Sequence, residues 1–552
     1  MQARIKLLSI LFLVSFLALL ARLFYWQVTA ADKLSDAARS QHKSGQIIGA
    51  GRGDILALDG TYWALGGESW LVFVNPQEIT LTASSVANKL FSLFEEDSPG
   101  RLTELISKSD KEWVPLKEKV TPEVKKNIEA MEIEGVGFEP QEMRVYPEAS
   151  SAAQILGFVG KNENGEDTGY FGLEGYYNLS LSGKAGYIGQ DRDAAGAPIL
   201  IGGKRSSSAI PGVDLATNLD KRIQLTIRSK LLEGIERYGA KAGSVIVMDP
   251  ASGAILGMES FPSYDPAEYW EYGDALFKNP AISDSFEPGS VFKVLVMSAA
   301  LDSGVVEQDT ICDVCGGPVK VDKYTIETWD RKYFPDSAMT DVIVHSDNVG
   351  MTFVGGKLGA DKLYDYLDKF GIGSPTGIDL QGEAAPALRK KGTWNIVDLA
   401  TASFGQGVAV TPIQMTRAVS AIANKGVLVT PRVVSSTQFP STTRVISSES
   451  SAKITAMMVE AVKNGEAKWT NLRGFKVAGK TGTAQIPIAG HYDEEKTNAT
   501  FVGFAPYDNP KFVMLVTLRE PSSSPWASET AAPLWFTIAK DLFPYLGIQP
   551  EK

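Results

Sequence analysis

At 552 residues the chain is too long for one compact core, and ordinary domain sizes suggest about two to four domains. Acidic residues outnumber basic ones, 65 to 54, for a net charge of −11, and no basic run or basic–aromatic interleaving occurs, which argues against a nucleic-acid partner. The three histidines, His42, His345 and His491, are scattered; this disfavours a histidine-rich metal site and a Ser-His-Asp triad, and no metal or cofactor is expected.

The N-terminus decides the compartment. Residues 1–6 carry Arg4 and Lys6, and residues 7–21 are apolar apart from Ser9 and Ser15. Arg22 interrupts the run, which then continues through Phe24, Tyr25 and Trp26 to Val28. Extended to Val28, the run reaches the ~20 residues a bilayer needs. Arg22 can snorkel, and the three aromatics suit a membrane interface. The expectation is a cytoplasmic tail over 1–6 and a single transmembrane anchor over 7–28. The competing reading is a cleaved signal peptide with a poor cleavage site at Ala30. Either reading exports the rest.

From 29 to 215 the chain is glycine-rich and mixed, with a charged helical segment near 121–132. Polar residues 202–208 and the Pro211-Gly212 turn suggest a hinge. The pattern changes from about 220. Residues 223–238 read as an amphipathic helix, and 244–248 with 254–258 as strands of a hairpin. Residues 500–505 and 511–518 read as two more strands, joined by a turn at Asp508-Asn509-Pro510, and 530–542 as a terminal helix. Strands at both ends around a helical middle imply one sheet assembled from distant segments, in a domain over 220–548.

Within that domain three short strings follow one another: Ser290-Val-Phe-Lys293, Ser346-Asp-Asn348 and Lys480-Thr-Gly482. Together they offer a nucleophilic hydroxyl, a base one helical turn away, a second hydroxyl beside an amide, and a cation next to a glycine, the parts of a serine acyltransferase with a lysine base. Single matches are cheap. Ser-x-x-Lys also occurs at Ser40–Lys43 and Ser450–Lys453, and Lys-Ser-Gly at Lys43–Gly45. Context favours Ser290, which follows the turn signal Glu287-Pro288-Gly289 and opens the run VFKVLVMSAAL, read as a buried helix whose one charge is Lys293. Burial lowers the pKa of such an ammonium toward a usable base. The hydroxyl at 290 is expected to touch the uncharged amine at 293, one turn along the same face.

Taken alone, Ser346-Asp-Asn348 reads as a turn or helix cap. Gly474 to Thr481 also matches a phosphate-binding loop, which needs a strand before it and a helix after it. Gly482, Pro487 and Gly490 refuse that helix, so a pleated edge strand carrying Lys480, Thr481 and Thr483 fits better. Cys312 and Cys315 form a lone C-x-x-C; export permits a local disulfide, preferred here as a structural clip over a zinc or redox role.

With its surroundings the chain resembles a class B penicillin-binding protein, a membrane-anchored peptidoglycan D,D-transpeptidase, over most of its length. Gly51-Arg52-Gly53-Asp54-Ile55, Arg144 to Pro147, Ala152 to Gly160 and Gly172 to Gly175 resemble blocks of that family's N-terminal non-catalytic module, over 29–215 here. SVIVMDPASGAILGMESFPSYDP, NPAISDSFEPGSVFK, FGIGSPTGIDLQGE, ATASFGQGVAVTPIQM and AGKTGTAQ follow in family order. Residues 400–415 look more like the division-associated branch than the elongation branch. The Cys312/Cys315 pair is not part of the family pattern.

The resemblance implies an α/β (α+β) penicilloyl serine transferase or β-lactamase-like domain, an antiparallel sheet flanked by helices. To this are added an elongated α+β pedestal or dimerisation-like module and one transmembrane helix. It implies that Ser290 is the nucleophile, Lys293 its base, Ser346 a proton relay, Asn348 a holder of the stem-peptide amide, and Lys480 the source of a positive field. Thr481 and Thr483 would bind the terminal carboxylate beside Gly482, and the N–H groups of Ser290 and Thr483 would form the oxyanion hole. Implied partners are peptidoglycan stem peptides on glycan strands made from lipid-linked precursor, β-lactams, the membrane, a polytopic glycan polymerase and division proteins. Two other enzyme classes share the motifs. A β-lactamase needs a water-activating carboxylate, and the Glu-x-x-Leu-Asn block is absent after Asn348. A D,D-carboxypeptidase would release its acyl group to water. A β-lactam sensor or scaffold could keep every motif.

Overall fold

The N-terminal apolar run folds as a helix, Gln2–Phe24, which widens into a π-helical turn over Tyr25–Thr29. The computed structural model describes residues 2–31, 33–34, 43–94, 98–108, 110–191, 205–435, 441–488 and 491–551. The stretch Arg4–Thr29 is long and apolar enough to cross a membrane, and none of it is buried. The Arg22 guanidinium lies over the Trp26 ring, 5.1 Å from its centre.

The chain divides into two compact units. One joins Met1–Gly53 to Ser182–Val213, and the other joins Asp54–Leu181 to Asp214–Lys552. Besides the N-terminal helix, the first holds a three-stranded antiparallel sheet with Gly186–Asp191 between Lys43–Ile48 and Arg205–Ser207.

In the second unit, the strand Tyr62–Val74 pairs with Val136–Val145 on one side and Val114–Val120 on the other. Helices Ala83–Phe91, Pro99–Ile106 and Pro122–Glu129 start at Thr82, Ser98 and Thr121, whose hydroxyls each accept a first-turn N–H. The last of these is the charged helix expected near 121–132. Val72, Val74, Val86, Leu90, Phe94 and Leu102 form the core between these elements. A second core joins Trp63, Leu156 and Leu173 to Ile246, Met258 and Ile413, so residues 54–181 pack directly on the sheet of the C-terminal part.

That sheet has five antiparallel strands: β1 (Ala242–Met248), β2 (Ile255–Phe261), β3 (Ala478–Ile488), β4 (His491–Ala505) and β5 (Phe512–Arg519). Their spatial order is β2-β1-β5-β4-β3, so distant segments meet as expected and β3 lies at an edge. Helices cover both faces, and β5 shows why. Phe512, Met514, Val516 and Leu518 pack with α1 (Lys221–Tyr238) and the terminal α7 (Ala531–Tyr545). The alternate residues Val513 and Leu515 enter the opposite core. That core contains α2 (Lys293–Asp302), α3 (Met339–Val344), α4 (Asn348–Leu358), α5 (Pro412–Ala423) and α6 (Ser448–Asn464). A strand buried on both faces reads as one continuous apolar run. Trp535 is fully buried and satisfies its indole N–H on the Met514 carbonyl at 2.8 Å.

Two elements differ from expectation. β4 begins at His491 rather than near 500, its polar first half pairing with β3. The expected buried helix begins only at Lys293; the preceding Gly289–Phe292 is a tighter 3₁₀ turn, so Ser290 stands on the turn and Lys293 on the helix.

Candidate active site

The turn carrying Ser290 is placed by glycines. Gly289 has φ +56°, a conformation other residues rarely adopt. A Cβ on Gly482 would sit 2.8 Å from Val291 Cγ1 and 2.9 Å from the Pro288 carbonyl oxygen. Only glycine at 482 lets the edge strand β3 press against that turn, which brings Thr481 and Thr483 beside Ser290.

Ser346 lies between α3 and α4 at φ +55°. Asp347 caps α4, its Oδ1 accepting from the N–H groups of Val349 at 2.7 Å and Gly350 at 3.1 Å. Lys293 is fully buried, and its Nζ donates to the Ser346 carbonyl at 2.5 Å, to Asn348 Oδ1 at 2.8 Å and to Ser346 Oγ at 3.3 Å. None of these three is Ser290 Oγ, so no hydrogen bond joins the hydroxyl at 290 to the amine at 293. The reason lies in donor count: a charged ammonium has three N–H groups, and three acceptors engage them. Losing a proton frees one position for a neighbouring hydroxyl. Burial lowers the pKa of Lys293 to about 7, helped by the positive charge of Lys480 and opposed by Glu466 and Asp347.

Lys480, also buried, donates to Ser346 Oγ at 3.0 Å and to Thr481 Oγ1 at 3.3 Å. Burial lowers its pKa too, against the pull of Glu466. Thr481 donates to Glu466 Oε2 at 3.0 Å. Thr483 Oγ1 accepts from the Ala527 N–H at 2.9 Å, which leaves its own proton to donate. Asn348 Nδ2 donates to the Glu327 carbonyl at 3.1 Å.

Ser290, Ser346, Asn348, Thr481 and Thr483 line one cavity of about 80 Å³. Gly482 lies in β3 between Thr481 and Thr483, and the buried Lys293 and Lys480 both reach Ser346 at its wall. Besides Gly289, five further residues at this cavity were not anticipated as site residues: Phe404, Gln406, Glu466 and the exposed ring pair Trp329 and Trp526, whose centres are 5.1 Å apart. Glu466 sits in the polar stretch before β3, and nothing local marks it. Two tryptophans in polar surroundings are a weak signal that the sequence did carry.

The rival motifs separate clearly. Ser450 Oγ bonds to Ser447 Oγ at 2.8 Å at the start of α6, while Lys453 pairs with Glu307 and Glu449. Ser40 and His42 lie outside the described residues, and Lys43–Gly45 lies in a strand. The phosphate-loop alternative fails because 478–488 is a strand. His345 stacks on Phe334 at 3.9 Å between ring centres. Cys312 and Cys315 are joined as a disulfide, with Cys312 bonded through its N–H to the Ser337 carbonyl just before α3.

Residues 243–543 match the family model described as the penicillin binding protein transpeptidase domain, and 47–217 match the penicillin-binding protein dimerisation domain. The chain is 32% identical to stage V sporulation protein D of Bacillus subtilis, over 97% of this chain and 85% of that protein. It is 28% identical to the peptidoglycan D,D-transpeptidase FtsI homolog of Mesostigma viride, over 100% and 97%. Among solved structures it resembles a peptidoglycan synthetase from Bifidobacterium adolescentis, with a TM-score of 0.73, 27% identity, and coverage of 92% of this chain and 98% of that one. With more than half its residues matched by the transpeptidase model and its N-terminal part by the dimerisation model, the chain belongs to the penicillin-binding protein transpeptidases of the class B type.

Proposed function

We propose that the chain is a peptidoglycan D,D-transpeptidase that cross-links stem peptides through an acyl-enzyme on Ser290. The observation that carries this reading is the single cavity shared by Ser290, Ser346, Asn348, Thr481 and Thr483, with two buried lysines meeting at Ser346. Ser290 Oγ attacks the carbonyl carbon of the penultimate D-Ala, and its proton passes to the neutral Lys293 amine. The N–H groups of Ser290 and Thr483 hold the oxyanion. The bond to the terminal D-Ala nitrogen breaks as that nitrogen takes a proton by way of Ser346, with Lys480 keeping the local field positive. Asn348 holds the stem-peptide amide, and Thr481 and Thr483 the terminal carboxylate. An amine from a neighbouring stem then attacks the ester, forms the cross-link and returns Ser290 to its hydroxyl. β-Lactams acylate Ser290 by the same first step.

Residues 29–215 serve as a non-catalytic pedestal and 220–548 as the transpeptidase domain. The N-terminal helix is a single-pass anchor, N-terminus in the cytoplasm and catalytic domain outside, and its apolar, unburied length supports this. The resemblance of 400–415 to the division-associated branch favours a septal role beside a polytopic glycan polymerase.

The test is labelling of the detergent-solubilised chain with a fluorescent penicillin, followed by loss of label. Label that persists for minutes, disappears in Ser290→Ala, and accompanies cross-linked product from stem peptides fits the proposal. Loss within seconds indicates a β-lactamase, release of D-Ala to water a carboxypeptidase, and stable label without product a sensor.

A further inference from the structure

The one proton of the Thr481 hydroxyl is already engaged. Its oxygen accepts from Lys480 Nζ at 3.3 Å, and its one proton goes to Glu466 Oε2 at 3.0 Å. Thr481 and Lys480 are both buried, and Glu466 is half-buried at the lining of the same cavity as Ser290. The site therefore carries two buried lysines, Lys293 and Lys480, with two carboxylates, Asp347 and Glu466, near them. A ligand carboxylate bonding to Thr481 would have to take the donor that Glu466 now occupies, and would bring a third negative charge to this pair of lysines.

We infer that Glu466 is a specificity-determining residue: a resident carboxylate that competes with the ligand's own carboxylate for Thr481 and Lys480. The inference rests on the assignment of Thr481 to carboxylate recognition. The charge of Glu466 favours the protonated form of Lys480, a counter-ion's part that an acyl donor's free carboxylate would otherwise play. Acyl donors whose corresponding group is neutral avoid both the lost hydrogen bond and the repulsion. The enzyme thus discriminates less in favour of the free acid than the rest of its cavity would allow.

Benzylpenicillin and its methyl ester separate the possibilities, because they share a reactive ring and differ in that carboxylate. Second-order acylation rates of Ser290 are measured for both in the detergent-solubilised chain, by competition with a fluorescent penicillin. In the unaltered protein the acid is expected to lead the ester by less than about a hundredfold, and in Glu466→Gln the acid-to-ester ratio rises about tenfold, the loss of one resident charged acceptor. Glu466→Ala gives the same direction and covers the case in which the glutamine variant does not fold. An acid-to-ester ratio above about a hundredfold in the unaltered protein overturns the inference, as does a ratio unchanged within about twofold in a variant with unaltered thermal melting. Absence of any label on Ser290 in the unaltered protein refutes instead the transpeptidase reading on which the inference stands.

Discussion

Lys293 and Lys480 donate to the same oxygen, Ser346 Oγ, at 3.3 and 3.0 Å. Two ammonium groups converging on one buried hydroxyl cannot both hold their charge cheaply, since like charges in a dry site each disfavour the other's protonation. Burial lowers the pKa of both, and the charge of Lys480 adds to the effect of burial on Lys293.

The first consequence is a pH dependence of acylation. The pKa of Lys293 falls from the ordinary 10.5 to about 7, so the neutral base is the minor form below pH 7 and the major form above it. Acylation by a penicillin should therefore rise about tenfold per pH unit below 7 and flatten above it. Stopped-flow labelling between pH 5.5 and 8.5 measures this, and a rate flat through pH 7 contradicts it. Lys480→Met removes the neighbouring charge and should move the rise to higher pH, beyond any loss in rate.

Gly482→Ala places a Cβ against Val291 Cγ1 and the Pro288 carbonyl, one of them backbone. The strand must retreat from the turn that holds Ser290. Stability should fall by about 1–3 kcal/mol, and acylation by roughly tenfold or more as the reacting groups shift. Chemical unfolding and labelling rates together separate the two effects.

Asp347→Ala removes the cap of α4 and with it the acceptor for the Val349 and Gly350 N–H groups. Loss of such a cap costs about 1 kcal/mol of stability. Because Ser346 and Asn348 flank it, the acylation rate should fall as well, whereas Asp347→Asn, which keeps the cap, should retain more of both. A rate in Asp347→Ala equal to that of the unaltered chain would mean the cap does not position its neighbours.

Arg144 and Glu174 form a buried pair, Nε to Oε1 at 2.6 Å, with side chains 5% and 0% exposed. Removing Glu174 leaves the buried Arg144 with only the longer, partly exposed contact to Asp54 at 3.9 Å, so Glu174→Ala should destabilise by about 3 kcal/mol. Urea unfolding of the single variant and of the double variant with Arg144→Met measures it; the double variant should be less damaged than the sum of the two.

Ser450→Ala tests the rejected motif. Its hydroxyl is engaged by Ser447 and its lysine by two glutamates, so penicillin labelling should be unchanged.

Much of this was legible before any coordinates. The apolar run along 511–518, the turn at 508–510 and the apolar run after Ser290 are local patterns, and β5, its turn and α2 lie close to where those patterns put them. The polar start of β4 was not legible, because a polar stretch carries no apolar period to mark it as a strand. Glu466 and the Trp329–Trp526 pair were missed for a related reason: their role comes from what faces them across the cavity.

The sequence by itself determined which residue types are present and in what order: a hydroxyl, a lysine one turn on, a second hydroxyl with its amide, and a glycine-flanked cation, behind an apolar leader. These follow from propensities and periods that act within about ten residues. The tertiary structure decided who meets whom. Lys293 reaches across 53 positions to Ser346 rather than back to Ser290, and Lys480 reaches the same hydroxyl across 134. Such meetings depend on how helices pack on a sheet assembled from both ends of the domain, which no local pattern specifies.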